Sequence, residues 1–153
     1  MKQYLIPGAI AAVISAAIGS GALLIPKQIV HEITHVASKH TWPGISDVAK
    51  AAIVRDLGET LRGAKVIIVC QDGSCTDLAQ DVDDALEDAH ADSVLDRPAF
   101  PLGYGIGITA DPGLKEKAAA LRVALAMRAG LDVPVTEGRP DGYIVLAIGK
   151  RQR

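Results

Sequence analysis

The pattern of apolar positions begins with an uninterrupted run near the amino terminus. No charged residue occurs from Tyr4 to Ile25, and most positions in the run are Ala, Ile, Leu, Val or Gly. A helix of about 20 apolar residues crosses the hydrocarbon core of a bilayer. The run therefore predicts a transmembrane helix over residues 4–25, in contact with membrane lipid, and Pro26 ends it.

A removed signal peptide is the alternative interpretation of this run. Lys2 places a positive charge before it, and Ala17-Ile-Gly19 has the small residues of a cleavage site. The apolar run is longer than the ~7–15 residues of a signal-peptide core. The length favours a retained anchor, and hence a single-pass membrane protein.

The predicted span also carries a stripe of small residues at every fourth position: Gly8, Ala12, Ala16 and Ser20. This spacing lets two helices approach closely and offers a homodimer contact, although an Ala-rich span also produces such a stripe by chance. Lys2 on one side and Lys27 and Lys39 on the other leave the positive-inside rule nearly balanced. We expect the C-terminal domain on the extracytoplasmic side, partly because that compartment would join the two cysteines.

Helical periodicity continues after the span, and segment 26–62 is predicted to be a juxtamembrane helical linker. Apolar residues recur at helical spacing between Lys27 and His40, and Thr41-Trp-Pro-Gly44 then breaks the pattern. Ser46 is a suitable N-cap for a second helix that reaches Leu61.

From residue 63 the pattern alternates between short β-branched runs and amphipathic helices, which predicts a compact α/β domain over 63–153. Strands are predicted over 65–70, 93–95, 104–109, 133–136 and 143–148, and helices over 76–89 and 112–129. The order favours an α+β two-layer sandwich of ferredoxin-like or related β-α-β-β-α-β arrangement. A flavodoxin-like parallel sheet is the alternative, since each helix could link parallel strands.

The composition of the chain argues against one class of function, nucleic-acid binding. The formal charge of −2 and the pI near 6.0 lack the basic excess of a general nucleic-acid-binding protein. Aromatic residues make up 3% of the chain, so its packing must depend on small aliphatic side chains. We therefore expect no nucleic-acid partner.

One short motif suggests metal chemistry. His31-Glu-Ile-Thr-His35 lies in the predicted linker, and on a helix His31 and His35 present two imidazoles from one face. The segment resembles the zincin metalloprotease motif, H-E-x-x-H. The resemblance implies that His31 and His35 bind zinc, that Glu32 activates water, and that a downstream residue such as Glu59 or His40 is the third ligand. The alternative is a juxtamembrane helix whose polar side chains face water or lipid headgroups.

The two cysteines form a second candidate site. Cys70-Gln-Asp-Gly-Ser-Cys75 joins the first predicted strand to the following helix, and its Asp-Gly turn could bring both sulfurs together. A disulfide is expected in an oxidising compartment and two thiols in a reducing one. The C-x4-C spacing differs from the C-x-x-C of redox enzymes and zinc ribbons.

A third feature is the alternation of glycine in Gly103-Tyr-Gly-Ile-Gly107. Period two places the three glycines on one face of a strand, whereas a dinucleotide fingerprint requires glycine at a strand-to-helix turn. We therefore expect a helix or another backbone to approach the sheet closely at this point.

Together these features favour a non-enzymatic function. The preferred hypothesis is a membrane-anchored α/β domain that acts as a binding or interaction module for a partner protein or small ligand, with no cofactor. The alternative hypothesis is a minimal membrane-bound zinc hydrolase that uses His31, Glu32 and His35.

Overall fold

The computed structural model of the chain describes residues 41–138 and 141–152. The predicted span 4–25, the small-residue stripe and the motif at 31–35 lie outside the described residues. The described residues belong to one compact unit, His40–Arg153, which contains all of the elements below. Its helices are α1 (Asp47–Leu57), α2 (Thr76–Asp88) and α3 (Lys115–Ala129). Its strands are β1 (Lys65–Cys70), β2 (Asp92–Asp96), β3 (Ile106–Ala110), β4 (Val135–Glu137) and β5 (Ile144–Ile148).

Local signals account for the ends of the helices. The Ser46 side chain accepts a hydrogen bond from the Ala49 amide, so Ser46 is the N-cap of α1 as predicted. Gly130 ends α3 in the left-handed conformation, with φ of 66°. Helix α1 ends at Leu57, one turn before the predicted end, although Leu61 beyond it is fully buried. Helix α1 belongs to the predicted linker segment 26–62 and packs against α2 and α3.

The five strands form one mixed sheet in the order β2-β1-β5-β3-β4. Strand β1 runs parallel to β2 and β5, β3 runs parallel to β4, and β3 and β5 are antiparallel. The predicted α/β class is therefore confirmed. The strand arrangement differs from the ferredoxin-like prediction, because α2 and α3 each link two strands that lie side by side and run parallel, whereas a ferredoxin-like sheet is built on split βαβ units.

The strand residues alternate between a buried and a half-buried face. Val66, Ile68, Ile108 and Leu146 are at most 1% exposed and lie under the helices. The residues between them in the same strands are half-buried. The three helices of the described part therefore pack on one face of the sheet, and a shared core of aliphatic side chains fills the layer between them.

The glycine-rich segment before β3 lies close to another backbone, which is one of the two kinds of approach that its sequence predicts. The Gly149 amide donates to the Gly105 carbonyl at 2.9 Å, and the Lys150 amide donates to the Gly103 carbonyl at 3.1 Å. A Cβ atom at Gly149 would collide with the Gly103 carbonyl oxygen. Gly105 has φ of 88°, so β3 begins one residue later, at Ile106. The approach therefore lies just outside the strand.

Candidate functional site

The loop after β1 is closed by a covalent bond. Cys70 and Cys75 form a disulfide with a Cα–Cα separation of 5.8 Å. Between them, the Asp72 carboxylate accepts a hydrogen bond from the Ser74 amide at 2.8 Å. Hydrogen bonding from Ser74 lowers the pKa of Asp72 below its ordinary value. We refer to residues 70–75 as the disulfide loop; it leads directly into α2.

The first described residues pack against this loop. The Trp42 amide donates to the Ser74 carbonyl at 2.8 Å, and the Trp42 indole Nε1 donates to the Gly149 carbonyl at 2.8 Å. Arg151 places its guanidinium carbon 6.0 Å from the centroid of the Trp42 ring and donates to the Thr41 carbonyl at 3.0 Å. The disulfide loop therefore lies where the chain enters the described domain and where it leaves β5.

A cavity of about 440 Å³ opens beside the disulfide loop. It lies at the carboxyl ends of the parallel strands β1 and β2, which is where ligands bind in open α/β sheets. One wall is the first two turns of α2, and the other is the end of β2. The described lining comprises Cys70, Gln71, Asp72, Gly73, Thr76, Ala79, Gln80, Leu95, Asp96 and Arg97.

The polar groups around this cavity include an acceptor without a partner. The side-chain oxygen Oε1 of Gln71 is buried and accepts no hydrogen bond. A buried acceptor without a donor is unfavourable by about 1–3 kcal/mol. Less than 1 Å² of this oxygen is accessible, so it lies beneath the wall of the cavity and not on its surface.

The cavity continues as a groove between α2 and β2. In the described domain, the outer edge of β2 has no strand partner. The Asp92 amide donates to the Ala64 carbonyl on the β1 side at 2.8 Å. In a parallel pair, the backbone groups of successive residues point alternately to the two sides of the strand. The N–H and C=O groups of Ser93 and Leu95 therefore point away from β1, to the outer side of β2. Leu95 is 41% exposed, so an apolar side chain lies beside these unpaired backbone groups.

Several carboxylates lie on β2 and on α2 beside it. Asp83 is 9% exposed and accepts a hydrogen bond from the Ser93 hydroxyl at 2.7 Å, which ties β2 to α2. Asp84 accepts a hydrogen bond from Gln80 at 2.9 Å. Asp92 and Asp96 stand at the two ends of β2. Among the described residues that line the cavity, Asp72 and Asp96 are the carboxylates and Arg97 is the cation; with Asp92, the edge of β2 carries more negative than positive charge.

The residues predicted for zinc are not assembled in the described domain. Glu59 lies in the turn after α1, where its carboxylate is 93% exposed and forms an ion pair with Arg62 at 3.2 Å. His31, Glu32, His35 and His40 lie outside the described residues. Within residues 41–138 and 141–152, no group of three or more His, Cys, Asp or Glu side chains could hold a metal ion. Over the same residues, no helix has the length and apolar character needed to cross a membrane.

The groove itself was missed by sequence reasoning. Sequence reasoning found the Cys70–Cys75 pair and a brief strand over 93–95, but it did not single out Gln71 or Leu95. A usable signal was present, since Asp92-Ser-Val-Leu-Asp96 places carboxylates at both ends of a short apolar strand, as edge strands often do.

We compared the chain with protein-family models, with curated proteins and with solved structures, and none matched. A function can therefore be inferred only from the geometry and chemistry of the site.

Proposed function

We propose that this chain is a single-span membrane protein whose α/β domain is a binding module at the membrane surface. Residues 4–25 are the anchor, and the groove between α2 and β2 receives the partner. The observation that carries the proposal is this groove, in which a cavity of about 440 Å³ adjoins a free strand edge. The position of the cavity at the carboxyl ends of β1 and β2 supports the same interpretation.

The extracytoplasmic side is the proposed location of the domain. The support is the disulfide between Cys70 and Cys75, because such bonds persist in oxidising compartments. Thiol labelling of cells lysed in acidic maleimide tests this location. We expect no labelling of either cysteine until a reductant is added, whereas labelling without a reductant would place the domain in a reducing compartment.

The anchor is tested by charge substitution in the predicted span. We expect the wild-type chain to stay in the membrane fraction after alkaline extraction. Ala12→Asp combined with Ala16→Asp should release it, because each central carboxylate disfavours insertion by roughly 2.5–3.5 kcal/mol. The matched control, Ala12→Leu with Ala16→Leu, keeps the span apolar and should remain in the membrane. Extraction of the wild-type chain itself would contradict the anchor.

The groove is tested by crosslinking in intact cells. A photo-crosslinking residue at Gln80, which lines the groove, should give a discrete adduct. The same residue at Val123 on α3, which is 51% exposed, is the control and should give none. Equal adducts from both positions, or none from Gln80, would count against the groove as the binding site.

A membrane-bound zinc hydrolase is the alternative proposal. Its support is the spacing of His31, Glu32 and His35, with Glu59 as the proposed third ligand. Zinc per chain, measured after purification in detergent without chelators, separates the two proposals. Stoichiometric zinc that disappears in a His31→Ala, His35→Ala variant would favour the hydrolase.

A further inference from the structure

We infer that the partner of the groove is an extended, basic polypeptide segment that adds a strand to the free edge of β2. The inference rests on the proposed function and specifies the chemistry of the partner. Three independent features of the groove support it: the direction of its backbone groups, the shape of its walls and the sign of its charge.

The backbone groups of β2 supply the first argument. Ser93 and Leu95 direct their N–H and C=O groups away from β1, as the Asp92–Ala64 hydrogen bond requires. Two donors and two acceptors thus follow one another along an exposed edge. An extended peptide satisfies all four by main-chain hydrogen bonding, which is the mode of recognition known as β-strand addition.

The walls of the groove supply the second argument. The side chains of Ser93 and Leu95 are on the same side of the sheet as α2, as the Ser93–Asp83 hydrogen bond shows. Leu95 and Ala79 are apolar residues in the cavity lining. One apolar side chain of an added strand would enter the cavity beside them.

Charge supplies the third argument. Asp72 and Asp96 line the cavity together with Arg97, and Asp92 stands at the other end of the β2 edge. Lysine or arginine residues next to the apolar side chain would complement the carboxylates along this edge. A second copy of the chain fits poorly, because antiparallel pairing along the full length of β2 would set Asp92 opposite Asp96.

The test uses the full-length chain in detergent and a fluorescein-labelled peptide, acetyl-Lys-Val-Lys-Val-Lys-Val-Lys-amide. The informative variants are Leu95→Pro and Leu95→Ala. Proline removes the outward N–H of residue 95 and leaves the β1–β2 ladder intact, since that N–H is not part of the ladder. Alanine shortens the side chain and keeps the N–H, so it is the matched control.

We expect saturable binding of this peptide by fluorescence anisotropy, and an affinity about tenfold lower for Leu95→Pro than for Leu95→Ala, as expected for the loss of roughly one main-chain hydrogen bond. Raising the salt concentration should weaken binding, because exposed charges are screened. The same peptide with Glu in place of Lys should not bind. Equal affinities of the two variants, or equal binding of the Glu peptide, would overturn the inference.

Hydrogen exchange provides a readout that does not depend on the folding of a variant. In the wild-type chain, addition of the Lys peptide should slow exchange of the Ser93 and Leu95 amides and leave those of α3 unchanged. Unchanged exchange at β2 would overturn strand addition. If the Gln80 crosslink persists in cells while this peptide fails to bind, the binding module stands and the extended basic partner is wrong.

Discussion

Because Gly149 has no side chain, the segment after β5 can lie very close to the segment before β3. The Gly103 and Gly105 carbonyls face Gly149, and the amides of residues 149 and 150 donate back to them. The two backbones are therefore in direct contact at a position that a Cβ atom on residue 149 would occupy. This contact orders the end of β5, which carries the Gly149 carbonyl that accepts the Trp42 indole hydrogen bond.

Alanine substitution tests this contact. Gly149→Ala should destabilise the domain by about 1–3 kcal/mol, because the new methyl group has to displace backbone atoms. Gly107→Ala is the control and should change stability little, because a Cβ atom at this position of β3 would meet nothing within 4 Å. Chemical unfolding followed by circular dichroism measures both. Equal effects of the two substitutions would show that the approach is not a tight one.

At the scale of single residues, local chemistry explains which structural roles could be predicted from the sequence. Ser46 as N-cap and Gly130 as C-cap follow from hydrogen bonding and backbone freedom within one helical turn. The loop of four residues between Cys70 and Cys75 makes a disulfide possible, and the sequence left open whether the two sulfurs are bonded. Gln71 and Leu95 acquire their roles from residues far away in the chain, and no local rule identifies them.

At the scale of the elements, an ion pair joins α1 to α3. Arg128 Nε donates to the Asp56 carboxylate at 2.7 Å. This hydrogen bond holds the pKa of Asp56 below its ordinary value. A carboxyl group with a lowered pKa in the folded state stabilises the fold above its unfolded pKa, and the contribution is lost as the pH falls through the folded pKa.

The pH dependence of stability tests this ion pair. Below about pH 4 the wild-type domain should lose the contribution of Asp56 as its carboxylate becomes protonated. Asp56→Asn should flatten the dependence of unfolding free energy on pH in this range. Arg128→Gln should flatten it similarly, because it removes the cause of the lowered pKa. A slope that neither substitution changes would contradict the assignment.

Helices and strands were predicted more successfully than their arrangement. The predicted strand 65–70 coincides with β1, and the predicted helix 76–89 differs from α2 by one residue. Predicted helix 112–129 begins in the structure with a 3₁₀ turn, Pro112–Leu114, before α3. These patterns depend on periodicity within about 15 residues, which a single sequence displays directly.

At the scale of the whole molecule, the first and last described segments hold each other in place. Trp42 and Gly149 are 107 residues apart in the chain and share a hydrogen bond. Arg151 packs over the Trp42 ring and donates to the Thr41 carbonyl. Through the Trp42 amide and Ser74, this contact also supports the disulfide loop that borders the cavity.

Replacement of the Trp42 indole tests this contact between the first and last described segments. Trp42→Phe removes the donor to Gly149 and should destabilise the domain by about 1 kcal/mol, the typical net contribution of one hydrogen bond. Tyr104→Phe removes a hydroxyl from a residue that is 67% exposed and is the control. Unfolding in denaturant, followed by circular dichroism, gives both values. If the Trp42→Phe domain were as stable as the control, the hydrogen bond from the indole to Gly149 would contribute no stability.

The sequence by itself determined the α/β class and most of the helices and strands, and it singled out the two cysteines as a possible disulfide, because periodicity, capping and short loops are local properties. Tertiary structure alone decided the order β2-β1-β5-β3-β4, the free outer edge of β2 and the groove beside α2. Strand pairing depends on contacts between residues far apart in sequence, and the same alternating pattern suits several arrangements of strands. Which edge of the sheet stays open, and which side chains line a cavity there, is therefore fixed only when the whole domain has folded.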